Sequence, residues 1–254
     1  MKAVILAGGK GTRLMEETML KPKPMVEIGG KPILWHIMKI YSHYGINEFI
    51  ICTGYKGHII KEYFANYFLY NSDITVDLRS NTITYHKVGT ESWRVTIIDT
   101  GESTQTGGRL KRIAKFLKND ETFCFTYGDC LSNVNITKEV EFHKSKKSWI
   151  TALVVRHPVR YGEWRIAQDE IEIVGKPREE FGWFCGGFFV VSQEALTLIE
   201  GDDTDWNEVL FKANRLKKLS AFKHYDFWYS LETLKDKNYL ESLWSSGSAP
   251  WKVW

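Results

Sequence analysis

Residues 6–24 read LAGGKGTRLMEETMLKPKP, from Leu6 to Pro24. The glycines Gly8, Gly9 and Gly11 let the backbone turn tightly and bring amides close to a bulky ligand. Thr12 and Arg13 follow directly, a hydroxyl and a planar cation suited to phosphate oxygens. About one helical turn further on, Lys21-Pro22-Lys23-Pro24 forms a second cationic cluster whose prolines fix where its lysines point. Upstream, Lys2 to Leu6 (KAVIL) reads as a short buried strand. Strand, glycine loop and fixed cations together describe a nucleotide triphosphate site.

Downstream, Gly29-Gly30-Lys31-Pro32 reads as a turn with Pro32 near the first position of a helix, where a missing N–H costs little. Ile33, Leu34, Ile37, Met38, Ile40 and Tyr41 recur at helical spacing, and Gly45 supplies the stop. Asn47 to Thr53 is an apolar strand, and one helix is expected from about Gly57 to Phe68. This β-α-β-α order with apolar strands predicts an α/β fold: a Rossmann-like, mixed but mainly parallel sheet flanked by helices. Between Ile74 and Asp99, three alternating runs (ITVDL, TITYHKV, WRVTIID) predict an antiparallel β insertion. Thr106-Gly107-Gly108 opens a helix bearing Arg109, Lys111 and Arg112. Thr122 to Tyr127 is a second central strand. It ends in Gly128-Asp129, and an aspartate just past a strand's carboxyl end lies where open α/β sheets place ligands. A helix from about Lys138 to Lys146 and a strand from Trp149 to Val155 follow, then short segments that form a smaller antiparallel lobe. The chain reads as one domain over residues 1–254. Its tail, from about Leu243 to Trp254, carries three tryptophans and is expected to dock on the body or on a neighbouring subunit.

At 254 residues and 43% hydrophobic content the chain can bury a large core, and a net charge of +3 does not argue for nucleic acid. No apolar run approaches the ~20 residues needed to cross a bilayer. The chain opens directly on a strand, which leaves no room for a signal peptide and points to the cytoplasm. Cys52, Cys124, Cys130 and Cys185 show no CxxC spacing and read as buried free thiols. The histidines form no metal-ligand spacing.

The phosphate loop fits neither common pattern. A P-loop needs GxxxxGK[ST], but Gly9-Lys10 is followed by Gly11. The GxGxxG fingerprint fails because Leu14 stands where its third glycine belongs. What remains is GGxGTRLxxxTxxxPKP, which resembles the signature of sugar-1-phosphate nucleotidyltransferases. The likeness extends along nearly the whole chain through PKPMVEIGGKPILWHIM, TGGRLKR, TYGD, CGGFFV and APWKVW, and is greatest to the glucose-1-phosphate cytidylyltransferases. It implies a nucleotide-diphospho-sugar transferase fold, CTP as nucleotide, Mg²⁺ as metal, a homo-oligomeric assembly and a place in surface polysaccharide or capsule biosynthesis.

The implied reaction is attack by an acceptor phosphate oxygen on the α-phosphorus of CTP, with pyrophosphate leaving. A phosphate monoester is largely dianionic near neutral pH, its second pKa being about 6, so no general base is required. Positioning and charge neutralisation remain. By resemblance, Arg13 holds the leaving β,γ-phosphates and Lys23 neutralises charge near the α-phosphate. Leu6, Ala7, Gly8, Gly9, Gly11 and Thr12 cradle the nucleotide, with Gly108, Arg109 and Gly128 nearby. Asp129 ligates Mg²⁺, with Glu232 aligned to the family's second metal-binding aspartate. Gly175 and Lys176 receive the acceptor, with Lys176 on its phosphate and Cys185 facing it.

Departures from the family pattern fall on that acceptor side. Gly175 stands where the family has a glutamate, Cys185 where it has an asparagine, Cys130 for a glycine, Asn133 for an aspartate, and Glu232 for an aspartate. Losing groups that hydrogen-bond sugar hydroxyls redirects acceptor choice. The expected acceptor is therefore a non-hexose phosphate; the resemblance to relatives in capsule-type pathways suggests a phosphorylated amino acid such as L-glutamine phosphate, with glucose-1-phosphate as the alternative. A CTP-binding protein without turnover is the reading from a different class, and it rests on Glu232 and Cys130 alone.

Overall fold

The computed structural model describes residues 1–88, 91–156, 163–167, 170–174 and 182–254. Seven strands form the main sheet: β1 (Ala3–Ala7), β2 (Glu48–Thr53), β3 (Arg94–Asp99), β4 (Thr122–Tyr127), β5 (Ile150–Arg156), β6 (Trp183–Ser192) and β7 (Leu219–Lys223). Their spatial order is β7-β5-β6-β4-β1-β2-β3. Every pairing is parallel except the two made by β6. The chain steps from β1 outward to β3 and then returns to lay β4 on the other side of β1. The carboxyl ends of β1 and β4 therefore flank the switch point at which such sheets bind ligands.

Strand β1 is buried along its length, and its side chains divide by the two-residue period of a strand. Ala3, Ile5 and Ala7 enter one apolar cluster with Ile33, Leu34 and Ile37 of helix α1 (Ile33–His43). Val4 and Leu6 enter the opposite cluster, with Leu110 and Ile113 of α3 (Thr106–Ile113) and with Trp206 and Val209 of α5 (Trp206–Arg215). Helix α4 (Ile136–Lys146) lies against β5 and β6.

Two expectations need correction. The helix expected from Gly57 to Phe68 is two pieces, α2 (Gly57–Ala65) and a short helix Tyr67–Asn71. At the joint, the Asn66 side chain donates to the Glu62 carbonyl, the local competition that makes asparagine a poor interior helix residue. The β insertion is also smaller than expected. Only Ser72–Asp77 and Thr82–Val88 pair as an antiparallel hairpin, whereas the third run is β3, parallel to β2 at the edge of the main sheet. Its alternation serves two covered faces, because Val95 and Ile97 join one cluster and Ile98 the other.

The C-terminal helix α6 (Leu234–Ser245) begins in a capping box made by Thr233 and Asp236. The chain beyond it packs on α1. Trp251 is fully buried and donates from Nε1 to Nδ1 of His36 at 3.3 Å, while the other ring nitrogen of His36 lies 2.8 Å from the Ile28 carbonyl. Burial lowers the pKa of His36 to about 4, consistent with a neutral ring donating at one nitrogen and accepting at the other. Trp254 meets Trp35 edge-on at 5.7 Å. No helix among the described residues is long and apolar enough to cross a membrane.

Candidate active site

The glycine loop leaves β1 at Ala7 and runs through a short helical turn at Thr12–Leu14 to a second turn at Lys23–Met25. Gly11 has φ +62°, and a side chain there would come within 2.9 Å of Thr18 Cγ2 and 3.2 Å of Lys23 Cβ, so both dihedral and space demand glycine. Thr18 is buried, and its hydroxyl donates to the carbonyls of Gly11 at 3.0 Å and Leu14 at 2.8 Å. The threonine shared with the family signature thus acts on the loop's own backbone.

A cavity of about 400 Å³ opens beside this loop at the carboxyl ends of β1 and β4. Ten predicted residues line it: Leu6, Ala7, Gly8, Gly9, Gly11, Thr12, Lys23, Arg109, Gly128 and Asp129. Its volume lies within the range of small-ligand sites. Gly108 is not among the lining residues; a side chain there would meet the Asp202 carbonyl oxygen at 2.4 Å, so this glycine serves close packing of α3. Glu102 to Thr106 and Tyr127 also line the cavity, although sequence reasoning did not select them. The Tyr127 position lay inside the quoted TYGD. The 102–106 loop carries no periodic pattern, and only the following TGGRLKR hinted at it.

Arg109 is buried at the cavity wall with its guanidinium engaged by the protein. Nη1 donates to the Thr53 carbonyl at 3.0 Å and Thr100 Oγ1 at 2.8 Å, and Nη2 donates to the carbonyls of Gly8 at 3.3 Å and Glu102 at 3.4 Å. Burial lowers its pKa from the ordinary arginine value. A side chain on Gly8 would sit 2.1 Å from Arg109 Nη1. Gly8 therefore admits the guanidinium, which in turn ties the glycine loop to the ends of β2 and β3.

Lys23 also lines the cavity. Its Nζ lies 2.8 Å from Asp129 Oδ2 and 3.1 Å from Glu232 Oε2. Burial pushes its pKa down, but the two carboxylates outweigh burial and hold it above the ordinary lysine value. Such a lysine stays charged, which suits neutralisation of phosphate. Asp129 and Glu232 converge on this one cation from positions 129 and 232. Among the described residues no group of three His, Cys, Asp or Glu side chains could hold a metal. Two converging carboxylates nevertheless fit Mg²⁺, which takes one or two carboxylates and completes its shell with substrate phosphates and water.

Of the residues expected on the acceptor side, the structure describes Cys185. Cys52, Cys124 and Cys130 are buried, but Cys185 is exposed, correcting the expectation of a buried thiol. Strand β4 pairs with β6 only from Phe188 to Ser192, so Cys185 lies on the half of β6 that projects past it. The register of β6 against β5 also shifts between Ala152 and Val154, near the same point. Gly175 and Lys176 lie outside the described residues, as does the side chain of Arg13.

Residues 2–221 match the family model described as nucleotidyl transferase. A glucose-1-phosphate cytidylyltransferase of Salmonella typhimurium is 51% identical over 256 aligned positions covering 100% of both chains. A mannose-1-phosphate guanyltransferase of Saccharomyces cerevisiae is 27% identical, covering 93% of this chain and 62% of its own. Among solved structures, HddC from Yersinia pseudotuberculosis complexed with GMP-PN is 25% identical with a TM-score of 0.66, covering 96% of this chain and 99% of that one. The inositol-1-phosphate CTP transferase from T. maritima shares the fold, with a TM-score of 0.65 at 17% identity over 99% of this chain and 96% of its own. A glycine-walled cavity at the switch point, a charged lysine between two carboxylates, and these matches over most or all of the length agree: the chain belongs to the nucleotidyl transferase family, on the branch of the glucose-1-phosphate cytidylyltransferases.

Proposed function

We propose that the protein transfers CMP from CTP to the phosphate of a small acceptor and releases pyrophosphate. The observation that carries this reading is Lys23, which lines the glycine-walled cavity and is held charged between Asp129 and Glu232. An acceptor phosphate brings its own nucleophilic oxygen, so the protein has only to bring the phosphates together and offset their charge. The backbone of Gly8 to Thr12 cradles the triphosphate, Arg13 holds the departing phosphates, and Lys23 faces the α-phosphate. Asp129 and Glu232 would hold Mg²⁺, which supplies further charge neutralisation when bound. The homo-oligomer and the capsule or polysaccharide setting are part of the same proposal and rest on resemblance.

For the acceptor we favour a non-hexose phosphate such as L-glutamine phosphate, bound near Gly175, Lys176 and Cys185. The exposed thiol of Cys185 and the side-chain-free Gly175 replace the two groups with which the family meets sugar hydroxyls. A thiol is a weak hydrogen-bond partner, so a hexose would forfeit contacts there. Glucose-1-phosphate is the second reading, favoured by the 51% identity to the Salmonella typhimurium protein. Pyrophosphate release from CTP and Mg²⁺, measured across sugar-1-phosphates and amino-acid phosphates, separates the two. Turnover confined to glucose-1-phosphate refutes the non-hexose acceptor, and CTP binding without turnover on any acceptor refutes the transferase reading.

A further inference from the structure

Asp129 and Glu232 stand 103 residues apart in number, yet one small ladder delivers both. The strand Cys130–Ser132 pairs antiparallel with Trp228–Ser230, Cys130 opposite Ser230, and Leu231 N donates to the Asp129 carbonyl at 2.9 Å. Asp129 and Glu232 therefore leave the ladder at the same end, one from each strand. The side chains of the terminal pair reach the two carboxylates. The Cys130 thiol, buried beneath the site, donates to Asp129 Oδ1 at 3.4 Å. The Ser230 hydroxyl donates to Glu232 Oε1 at 2.9 Å. The other oxygen of each carboxylate, Oδ2 and Oε2, faces Lys23. Cys130 and Ser230, opposite each other in the ladder, thus each hold one of the two carboxylates that face Lys23.

Building on the transferase reading above, we propose that Cys130 and Ser230 are positioning residues, each holding the outer oxygen of one carboxylate so that Oδ2 and Oε2 converge on a divalent cation bound with the nucleotide's phosphates. The same arrangement accounts for a glutamate at position 232. Glutamate is longer than aspartate by one methylene and loses more rotamer freedom when fixed. A hydrogen bond from the residue two places before it holds the carboxylate in one orientation. Neither Cys130 nor Ser230 touches the cavity, so their effect passes through the carboxylates.

Hydroxyl donors are stronger than thiols, which ranks the two residues. The test is Mn²⁺ binding to the full chain with saturating CTP and no acceptor, followed by electron paramagnetic resonance. CTP affinity without metal and the melting temperature are measured on the same samples. Ser230→Ala is expected to weaken Mn²⁺ about tenfold or more, in the range of groups that orient metal ligands. Cys130→Ala should weaken it less, and Cys130→Ser, which keeps a donor, should restore it. Metal-free CTP affinity should be unchanged throughout. Unaltered Mn²⁺ affinity in both alanine variants overturns the proposal, as does equal loss in Cys130→Ser and Cys130→Ala, or no Mn²⁺ binding by the unmodified protein. Tight Mn²⁺ binding without pyrophosphate release on any acceptor refutes the transferase reading and leaves the positioning role to be decided by the variants.

Discussion

Replacing Arg109 by Met keeps the aliphatic stem and removes the guanidinium that ties the glycine loop to β2 and β3. Four acceptors lose their donor: the carbonyls of Gly8, Thr53 and Glu102, and Thr100 Oγ1. The bonds to Thr53 and Thr100 are the shortest, at 3.0 and 2.8 Å, and both are buried. Leaving a buried acceptor unpaired costs about 1–3 kcal/mol, while removing a desolvated charge returns part of that. A net loss of about 3 kcal/mol is therefore expected, or about 6–12 °C in melting temperature for a chain of this size. CTP affinity should fall too, because the Gly8 carbonyl is no longer held. The assay is thermal melting without nucleotide, paired with CTP calorimetry. Gly8→Ala offers an independent approach, since its Cβ would displace the same guanidinium. In the Arg109→Met background Gly8→Ala should add little, a strong departure from additivity. An unchanged melting temperature with weakened CTP binding would refute the structural role and make Arg109 a phosphate ligand.

Lys23→Ala leaves Asp129 and Glu232 facing each other without their cation and should lower pyrophosphate release by about 10²–10³-fold, the usual scale for losing one preorganised charge-stabilising group; near-native rates would remove Lys23 from the chemistry. Glu139 is fully buried on α4, and burial raises its pKa from the ordinary carboxylate value to about 8. The folded chain therefore keeps a proton that the unfolded chain has released, and stability falls by about 2 kcal/mol as pH rises from 6.5 to 8.5. Glu139→Gln should flatten that slope in melting temperature, and a persisting slope would place its origin elsewhere. The window lies above the range in which His36 and His143, both lowered to about 4 by burial, lose stability as the pH falls. Trp251→Ala empties a fully buried site and unpairs His36 Nδ1, for a loss of about 3–5 kcal/mol read by urea unfolding.

Some features were legible because local chemistry decides them. The run from Leu6 to Pro24 carries a strand, an obligatory glycine at position 11 and prolines around Lys23, all within one short stretch. The apolar strands β1, β2 and β4 were equally plain, since burial on both faces leaves continuous hydrophobic runs. Strand β3 was misplaced because a two-residue period cannot distinguish a half-solvated hairpin strand from a covered edge strand. The role of Arg109 was hidden for a different reason: Gly8 lies 101 positions away in sequence, and the residue type alone suggests an anion ligand. Cys130 and Ser230 were beyond reach on the same ground. Cys130 stood out only as a departure from a family pattern, and its partner across the ladder carried no signal.

The positions of these parts in the fold also bear on how the acceptor could change while the nucleotide site stayed the same. The nucleotide side is built on the ends of β1 and β4, at the centre of the sheet, where Gly8, Arg109, Thr53 and Thr100 are interlocked and buried. A substitution there disturbs the core. Cys185 instead occupies the half of β6 that projects beyond β4, with its side chain exposed. A substitution at such a site alters few packed contacts, and exposed changes of this kind usually shift stability by less than about 0.5 kcal/mol. On the proposed reading, acceptor choice can thus drift at little thermodynamic expense while the core of the nucleotide loop stays constrained. Restoring Cys185→Asn tests that argument directly: the melting temperature should stay within about 2 °C of the parent. Activity with glucose-1-phosphate relative to the amino-acid phosphate should rise. A large loss of stability would show that position 185 is constrained by the fold after all.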